Sequence, residues 1–523
     1  MSPAPALLTQ PRVRAAYAEA AGIYRILPQA VTLPATVDDV IRLIAWASET
    51  RTPLIPRGAA SGMPGHNVGP HVIVDLSQAF DDVLVDPRRR IARAGTSVSW
   101  AQVTTAARPY GLRLPPDPSS GAFATSGGMV STNAAGPRSV RCGSVRRWIE
   151  SIDVVGADGE PRRIARGGGA GPWHLTPDTR HLVLDRFPET RKNSSGYALD
   201  ALAGSGDALD LWIGAEGTLG IVTAVEWRLD PIPPDQAGAA LGFRELDALA
   251  DAVPFLLALN PSAVELLDGT LLDLVRGAGV ELPAGLGSLL LVEFERETSA
   301  AARSVVGDAV RGLKAHTMHV ETAVDRVGLD ALWQVRRLAS PALSRLPPTR
   351  RSLQVVEDGC VPIERLADYV SGVRAAAQRR DVPVAIFGHA GDGHVHVNAL
   401  PDTTMPGWHD ALAGLYEDVT DLVLRLGGTP SGEHGDGRLR AGLLERLYGP
   451  QVTTLFRELK HAYDPLSIFN PGVIIPAANW EPLADLKIGP DAAPLPDDIA
   501  GRLRDIERNA EWGTPKTQLA GAP

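Results

Sequence analysis

Apolar and polar positions at the start of the chain follow helix and strand periods in turn. Thr36 and Asp39 have the spacing of a capping box, which predicts that a helix begins here. The apolar face of this helix comprises Val37, Val40, Ile41, Ile44 and Ala45. "PLIP" (53–56) and "HVIVDLS" (71–77) predict short strands, and residues 97–108 predict a second helix. Helix and strand therefore alternate within one region, which favours a mixed fold of α and β elements.

A proline-dense stretch divides this region from a second one. Ahead of it, residues 221–227 alternate as a strand whose more apolar face should point to the core; that face comprises Ile221, Thr223, Val225 and Trp227. "PIPPDQ" (231–236) then predicts a domain boundary. Beyond it, 289–295 predicts a strand and 299–316 an amphipathic helix.

These patterns predict two domains and a tail. The domains span residues 26–232 and 237–478, and the tail spans 479–523. The tail is rich in Pro, Asp and Ala, so we expect it to be loosely packed.

Composition removes several classes of function. The formal net charge of the 523 residues is −10, which argues against a nucleic-acid partner that needs a broad basic face. The two cysteines are too few for a disulfide framework or an iron–sulfur cluster. We see no signal peptide and no apolar run long enough to span a membrane.

Three stretches of the first domain are rich in Gly, Ser, Thr and Asn: residues 56–65, 119–136 and 214–223. Such residues let the backbone approach a ligand closely and offer N–H groups to phosphate oxygens. Their spacing fits neither the Rossmann fingerprint nor the P-loop. They predict a large phosphate-bearing ligand that is bound in a different way.

"GHAGDGHVHVN" (388–398) concentrates three histidines between and along two predicted strands, 384–387 and 394–398. His394, His396 and Asn398 share one face of the second strand. With "GEHGDG" downstream, this favours a divalent metal site, with zinc as the preferred ion. The alternative is a hydrogen-bonded turn that holds satisfied histidines.

The glycine stretches, with "PPDPSS" (115–120) and "RWIESIDVVGADGE" (147–160), resemble the FAD-binding domain of the vanillyl-alcohol-oxidase, or p-cresol methylhydroxylase-type, flavoproteins. The second domain resembles the C-terminal domain of the FAD-linked D-2-hydroxy-acid dehydrogenases, through the histidine motif, "SGEHGDG" (431–437) and "FNPGVI" (469–474). The resemblance implies an α+β fold: a p-cresol methylhydroxylase-type FAD-binding domain and a substrate (cap) domain with an antiparallel sheet. It implies FAD-dependent oxidation of a D-2-hydroxy acid such as D-lactate, glycolate or D-2-hydroxyglutarate.

The resemblance also implies which residues bind FAD. These are Arg57, Gly58, Ala59, Ala60, Ser61, Gly62, Pro118, Ser119, Gly127, Gly128, Asn133, Gly136, Gly217 and Ile221. Ala59 and Ala60 depart from the glycines that are usual in the family. Ser61 stands where relatives with covalent flavin have a histidine, so we expect non-covalent FAD, and we expect His66 at the surface.

In the second domain, the resemblance matches His389, His396 and Glu433 to metal ligands and His434 to the catalytic base. Arg336 matches the arginine that grips the substrate carboxylate, with Arg337 as the adjacent alternative. Asn398 matches a position that touches the substrate or the metal shell. His394 stands where relatives commonly have Asn, which implies a supporting role.

One departure bears on electron transfer. Val356 replaces a lysine of the short D-2-hydroxyglutarate enzymes and makes the chain resemble the large bacterial flavin and iron–sulfur dehydrogenases. The cysteine-rich domain of those proteins has no counterpart here, so we expect electrons to pass to a separate acceptor protein or a quinone. We also expect the protein to form a homodimer and to be located in the cytoplasm or at the membrane periphery.

Two other functions stay open from the residues alone. A metal-dependent hydrolase could use the His/Glu cluster, although it leaves the glycine stretches unexplained. A flavin-binding module without catalysis would explain the departures at Ala59, Ala60 and Val356.

Overall fold

The computed structural model describes residues 5–169, 171–347 and 349–521. Its strands are β1 (Ala30–Thr32), β2 (Leu54–Arg57), β3 (Val72–Asp75), β4 (Val83–Asp86), β5 (Ile91–Gly95), β6 (Leu112–Arg113), β7 (Ile149–Val155), β8 (Pro161–Ala165), β9 (Ile221–Arg228), β10 (Asp230–Pro231), β11 (Asp235–Phe243), β12 (Ala263–Asp268), β13 (Ser288–Arg296), β14 (His319–Ala323), β15 (Gly359–Cys360), β16 (Val384–Gly388) and β17 (His394–Ala399).

The helices are α1 (Pro11–Ala16), α2 (Val37–Thr50), α3 (Trp100–Ala107), α4 (Ser126–Thr132), α5 (Ser139–Cys142), α6 (Pro177–Arg186), α7 (Leu199–Ser205), α8 (Leu209–Trp212), α9 (Leu246–Ala258), α10 (Gly269–Gly277), α11 (Ser299–Leu313), α12 (Arg326–Leu332), α13 (Gln334–Arg337), α14 (Ala339–Leu343), α15 (Leu366–Arg379), α16 (Trp408–Arg425), α17 (Gly437–Arg440), α18 (Leu444–Tyr448), α19 (Pro450–Tyr463), α20 (Asp497–Asn509) and α21 (Lys516–Leu519).

The first half of the chain forms two main sheets. A parallel sheet has the order β1-β3-β2, and an antiparallel sheet has the order β4-β5-β9-β7-β8. The capping box at α2 is confirmed, because Thr36 accepts from the Asp39 backbone and the Asp39 carboxylate accepts from the Thr36 backbone. The predicted core face of β9 is also buried, with Trp227 fully enclosed.

The second half forms one antiparallel sheet of seven strands in the order β14-β11-β13-β12-β16-β17-β15. Helices α9, α11 and α15 cover one face. The opposite face packs against α10 and α12–α14. Because Val395 and Val397 lie in the first of these cores, the alternate residues of β17 face the second layer, where the candidate site lies.

The expectation of a loosely packed tail is wrong. Helix α20 buries Ile499, Leu503 and Ile506 in a core that it shares with α1 near the N-terminus. These three residues have the spacing of one helix face, and Asp498 pairs with Arg12 at the edge. The Pro- and Asp-rich composition of the whole tail concealed this short amphipathic segment.

Candidate active site

A cavity of about 490 Å³ lies where the glycine stretches meet the seven-stranded sheet. We call its two sides the glycine wall, formed by lining residues within 56–62, 118–135 and 216–222, and the charged wall, formed by Arg336, Glu357, His396, Asn398, Glu433 and His434. A ligand in this cavity would therefore contact both halves of the chain at once.

Most of the predicted FAD residues lie in the glycine wall. Those that line the cavity are Arg57, Gly58, Ala59, Ala60, Ser61, Gly62, Pro118, Ser119, Gly127, Gly128 and Gly217. Within the described chain, the backbone N–H groups of residues 58–62 donate no hydrogen bond. Free N–H donors at a cavity suit the phosphate oxygens of a dinucleotide, so the loop fits FAD.

Three predicted FAD residues lie outside this wall. Asn133 ends α4 in the left-handed conformation, and its side-chain oxygen accepts from the Arg146 backbone. Gly136 lies so close to Asp117 that a Cβ would come within 2.2 Å of its carbonyl oxygen. Ile221 is fully buried in the core beneath the loop. All three support the loops from behind instead of facing the cavity.

The side chain of Arg57 does not turn to the cavity. Its guanidinium donates to the carbonyl oxygens of Tyr17, Asn67 and Glu19, at 2.9, 3.3 and 2.8 Å. Only the backbone of Arg57 and its neighbours is therefore available to a ligand. Ala60 follows with a positive φ of 62°, a conformation that disfavours a residue with a Cβ by about 1 kcal/mol.

His66 is not a surface residue, contrary to expectation. It is 9% exposed, lines the cavity, and places Nδ1 3.2 Å from a carboxylate oxygen of Glu216. No local pattern predicts this burial, because it depends on the loop after residue 62 bringing His66 back against Gly62, where an added Cβ would lie 2.2 Å from His66 Nε2. The tail adds Arg504, Arg508 and Trp512 to the cavity lining, which sequence reasoning also missed.

The predicted metal ligands meet at the charged wall. His389 follows β16, His396 lies on β17, and Glu433 lies in the loop between α16 and α17. The Glu433 Oε1 atom is 3.1 Å from His389 Nε2 and 3.5 Å from His396 Nε2. Three ligand atoms on separate elements thus converge, as in zinc sites that keep one position open.

Hydrogen bonds fix the orientation of both imidazoles. His389 Nδ1 lies 2.6 Å from the Glu265 carboxylate, and His396 Nδ1 lies 3.0 Å from the Glu357 carbonyl oxygen. Donation from each Nδ1 leaves the Nε2 lone pairs facing Glu433, so the cluster attracts positive charge. Burial lowers the pKa of His389, but Glu265 outweighs it and raises that pKa overall. The donor set therefore fits a divalent cation.

His394 differs from its two neighbours in having both ring nitrogens engaged. Lys192 Nζ donates to Nδ1 at 3.4 Å, so Nε2 carries the proton and donates to Asp358 at 2.9 Å. Burial, followed by Lys192, lowers the pKa of His394 to about 4, which keeps the ring neutral. Its lone pair is therefore not free for a metal.

Two acidic residues that sequence reasoning missed hold the loop with Glu433 and His434. Asp358 accepts from the backbone N–H of Glu433 and of His434, the latter at 2.9 Å. Arg440 pairs with Glu357 at 2.9 Å and with Asp358 at 3.4 Å. Glu357, Asp358, Glu433 and Arg440 are all buried, so these charges are neutralised by one another in place of water, whereas His434 is partly exposed.

His434 projects from this support into the cavity. Its Nδ1 lies 2.6 Å from the Glu357 carboxylate, and the ring stacks on His396 with centroids 5.2 Å apart. Burial lowers the pKa of His434, but Glu357 and Asp358 outweigh it and raise the pKa to about 10. The Nδ1–H bond to Glu357 leaves Nε2 as the ring atom that faces the cavity.

Arg336 and Arg337 separate on opposite sides of α13. Arg336 is 7% exposed, donates from Nε to Glu265 at 2.8 Å and lies over the Phe387 ring. Arg337 is exposed and lies away from the cavity. Asn398 accepts from the Ser352 hydroxyl at 2.9 Å on the same wall. Glu265 thus connects the arginine and His389, a link that its apolar strand sequence did not reveal.

Comparison with known proteins agrees with both halves of this arrangement. Residues 28–165 match the FAD binding domain family, and residues 232–474 match the family described as FAD linked oxidases, C-terminal domain. The chain is 30% identical to the glycolate oxidase subunit GlcD of Bacillus subtilis, over 86% of this chain and 89% of that protein. It is 30% identical to a D-lactate dehydrogenase of Archaeoglobus fulgidus, over 85% of this chain and 91% of that protein.

A D-2-hydroxyglutarate dehydrogenase of Haemophilus influenzae is 25% identical, over 86% of this chain and 48% of the longer relative. Among solved structures, 4-ethylphenol oxidase from Gulosibacter chungangensis superposes with a TM-score of 0.63 at 16% identity, over 90% and 94% of the chains. The similarity to 4-ethylphenol oxidase concerns the fold alone.

The chain therefore belongs to the FAD-linked oxidases and is a flavin-dependent oxidoreductase with a p-cresol methylhydroxylase-type FAD-binding domain. The predicted fold class is confirmed. Across the described residues, no helix combines the length and apolar character that crossing a membrane requires.

Proposed function

We propose that this protein oxidises a D-2-hydroxy acid of the D-lactate, glycolate or D-2-hydroxyglutarate type to the 2-oxo acid. One observation carries the proposal: a single cavity is lined by the glycine wall and by His434, Arg336 and Asn398. The names of the relatives support the same class of substrate.

Arg336 is the residue that holds the substrate carboxylate. Its Nε donates to Glu265, while Nη1 and Nη2 have no hydrogen-bond partner among the described residues and can donate two parallel hydrogen bonds. Glu265 and Phe387 fix the plane of the guanidinium. Asn398 presents its amide beside this group and orients the substrate hydroxyl.

His434 is the base that takes the hydroxyl proton at Nε2. Glu357 holds Nδ1–H and favours the imidazolium that forms, because the charges lie only 2.6 Å apart. A divalent cation held by the neighbouring ligands would disfavour the protonated ring and would therefore lower the pKa of His434 from its raised value. The base and the metal site thus depend on one another.

His389, His396 and Glu433 would hold the metal, with zinc as the preferred ion. When bound, a divalent ion would lower the pKa of the substrate hydroxyl. FAD held along the glycine wall would supply the acceptor for the hydride. Because Ser61 offers no imidazole for a covalent link, we propose that the flavin is non-covalent and that acid precipitation releases all of it. Flavin retained on the protein would contradict this and point to His66, which also lines the cavity.

Electrons then leave the flavin for a separate acceptor protein or a quinone. Cys142 and Cys360, the two cysteines of these 523 residues, are both buried and are fewer than the four thiolates that an iron–sulfur cluster needs. We propose a cytoplasmic or membrane-peripheral location and a homodimer. Size-exclusion chromatography with light scattering tests the homodimer.

The decisive experiment is an anaerobic visible spectrum titrated with D-lactate, glycolate and D-2-hydroxyglutarate, with and without a chelator. We expect one acid to bleach the flavin band, and the chelator to prevent the bleaching without releasing FAD. A flavin that no 2-hydroxy acid bleaches contradicts the proposal and favours an inert module. Bleaching that survives complete metal removal contradicts the metal-assisted mechanism.

A further inference from the structure

We propose that Lys192 is a positioning residue that leaves only one oxygen of Glu433 available to the metal. The proposal rests on the metal site proposed above and goes beyond it, since it assigns a residue from the FAD-binding half to the geometry of the metal ligands. Lys192 lies between α6 and α7, far in sequence from the histidine cluster.

The two carboxylate oxygens of Glu433 have different contacts. Lys192 Nζ donates to Oε2 at 2.7 Å, whereas Oε1 faces His389 Nε2 at 3.1 Å and His396 Nε2 at 3.5 Å. One oxygen is thus taken by the ammonium and the other faces the imidazoles. A carboxylate held in this way binds a metal through a single oxygen.

The ammonium also contacts two groups that are not among the proposed metal ligands. Lys192 is 7% exposed, and besides Glu433 it contacts His394 Nδ1 at 3.4 Å and an Asp392 oxygen at 3.6 Å. His394 is fixed in turn by Asp358. His394 Nδ1 therefore helps to hold the lysine in place.

The backbone around Lys192 is joined to the loop that carries Glu433. Ser194 donates to the Ser431 carbonyl oxygen through its backbone at 2.8 Å and to the Gly432 carbonyl oxygen through its hydroxyl at 3.2 Å. The Gly196 N–H donates to Asp436 at 2.6 Å. Residues 192–196 and 431–436 are thus joined by three hydrogen bonds, which hold the backbone of Lys192 beside the loop of Glu433.

Cobalt substitution tests the proposal, because the visible bands of Co²⁺ weaken as the number of ligands rises. We compare wild type with Lys192→Met, which removes the ammonium, and with Lys192→Gln, which keeps a polar side chain that is too short to reach Glu433. We expect both variants to lose band intensity as Oε2 joins the coordination. Lys192→Arg keeps a cationic donor and should retain the wild-type spectrum.

The flavin absorbance of each variant reports whether the protein has folded. If all folded variants that lack the cation show the wild-type cobalt bands, Lys192 does not position Glu433 and the inference is overturned while the metal site stands. If wild type binds no Co²⁺ or Zn²⁺, the metal site itself fails and the inference fails with it. The two failures are therefore distinguishable.

Discussion

The glycine wall and the charged wall face the same cavity but offer it different groups. The glycine wall presents backbone N–H groups from residues 58–62 and depends on close approach: a Cβ at Gly58 would lie 2.3 Å from the Thr125 hydroxyl. The charged wall presents side chains, each held by an opposite charge or hydrogen bond, as Glu357 holds His434.

This difference decides how each wall tolerates change. A backbone site is damaged by added bulk, because the loop must shift, but it contains few charges to unbalance. A network of buried charges is damaged when one charged side chain is removed, because its partner is then left unpaired in a poorly solvated place. We therefore expect substitutions in one wall to leave the ligand of the other in place.

The variant His434→Ala should give the largest difference between the two walls, because it should abolish the function of one and leave the ligand of the other bound. We expect the rate of flavin reduction by the substrate to fall by about 10²–10⁴-fold, because the variant lacks the proposed base for the hydroxyl proton, while FAD remains bound. Anaerobic stopped-flow absorbance measures the rate, and the resting spectrum of the variant serves as the control. Unchanged reduction would remove His434 from the mechanism.

A second effect should follow from Glu265→Gln, which preserves shape but removes the charge that holds His389 and Arg336 at 2.6 and 2.8 Å. We expect about 10–100-fold weaker metal binding, together with a higher KM for the hydroxy acid. Metal analysis after dialysis and steady-state kinetics measure these. Loss of FAD with intact metal binding would reverse the assignment of the two walls.

A smaller effect, confined to the glycine wall, should come from Gly58→Ala. The new Cβ displaces Thr125, whose hydroxyl accepts from the Gly128 N–H at the start of α4. We expect about tenfold weaker FAD binding, which corresponds to about 1.4 kcal/mol, with metal content unchanged. Reconstitution of apoprotein with FAD measures the affinity.

Gly204→Ala is the matched control for that variant. Gly204 lies in helix α7, and an added Cβ there meets nothing within 4 Å. Because alanine favours a helix over glycine by about 1 kcal/mol, we expect normal FAD binding and equal or higher thermal stability. A loss of FAD in this variant as well would show that the effect at Gly58 is not local.

The smallest effect concerns two buried carboxylates of β12. His389 and Arg336 outweigh burial and lower the pKa of Glu265 to about 2, whereas burial raises the pKa of Asp268 to about 7. The folded protein thus retains a proton on Asp268 that the unfolded chain releases near pH 4, so stability falls as pH rises from about 4 to about 7.

Asp268→Asn should remove that pH dependence. Asparagine still accepts from the Leu271 N–H, so the start of α10 keeps its cap. We expect the Tm of the variant to exceed that of wild type by a few degrees above pH 7 and to converge with it near pH 4. A Tm difference that does not change with pH would show that Asp268 does not titrate with folding.

The sequence alone determined the elements and the cluster of chemical groups. The capping box at Thr36, the alternation of residues 221–227 and the histidines along β17 are local patterns, because each depends on helix or strand periodicity within a few residues. Resemblance to a family added the FAD loops and the convergence of His389, His396 and Glu433. Most of the predicted residues do line the cavity, whereas Asn133, Gly136 and Ile221 lie behind it.

Only the tertiary structure decided which groups support the site. No local pattern predicts the partners of Glu265, Glu357 or Asp358, and Lys192 reaches Glu433 from the other half of the chain. The burial of His66 and the packing of α20 likewise depend on contacts between distant segments. A buried charge is stable only beside its partner, and when that partner is brought near by chain folding, no local pattern in the sequence records the pairing.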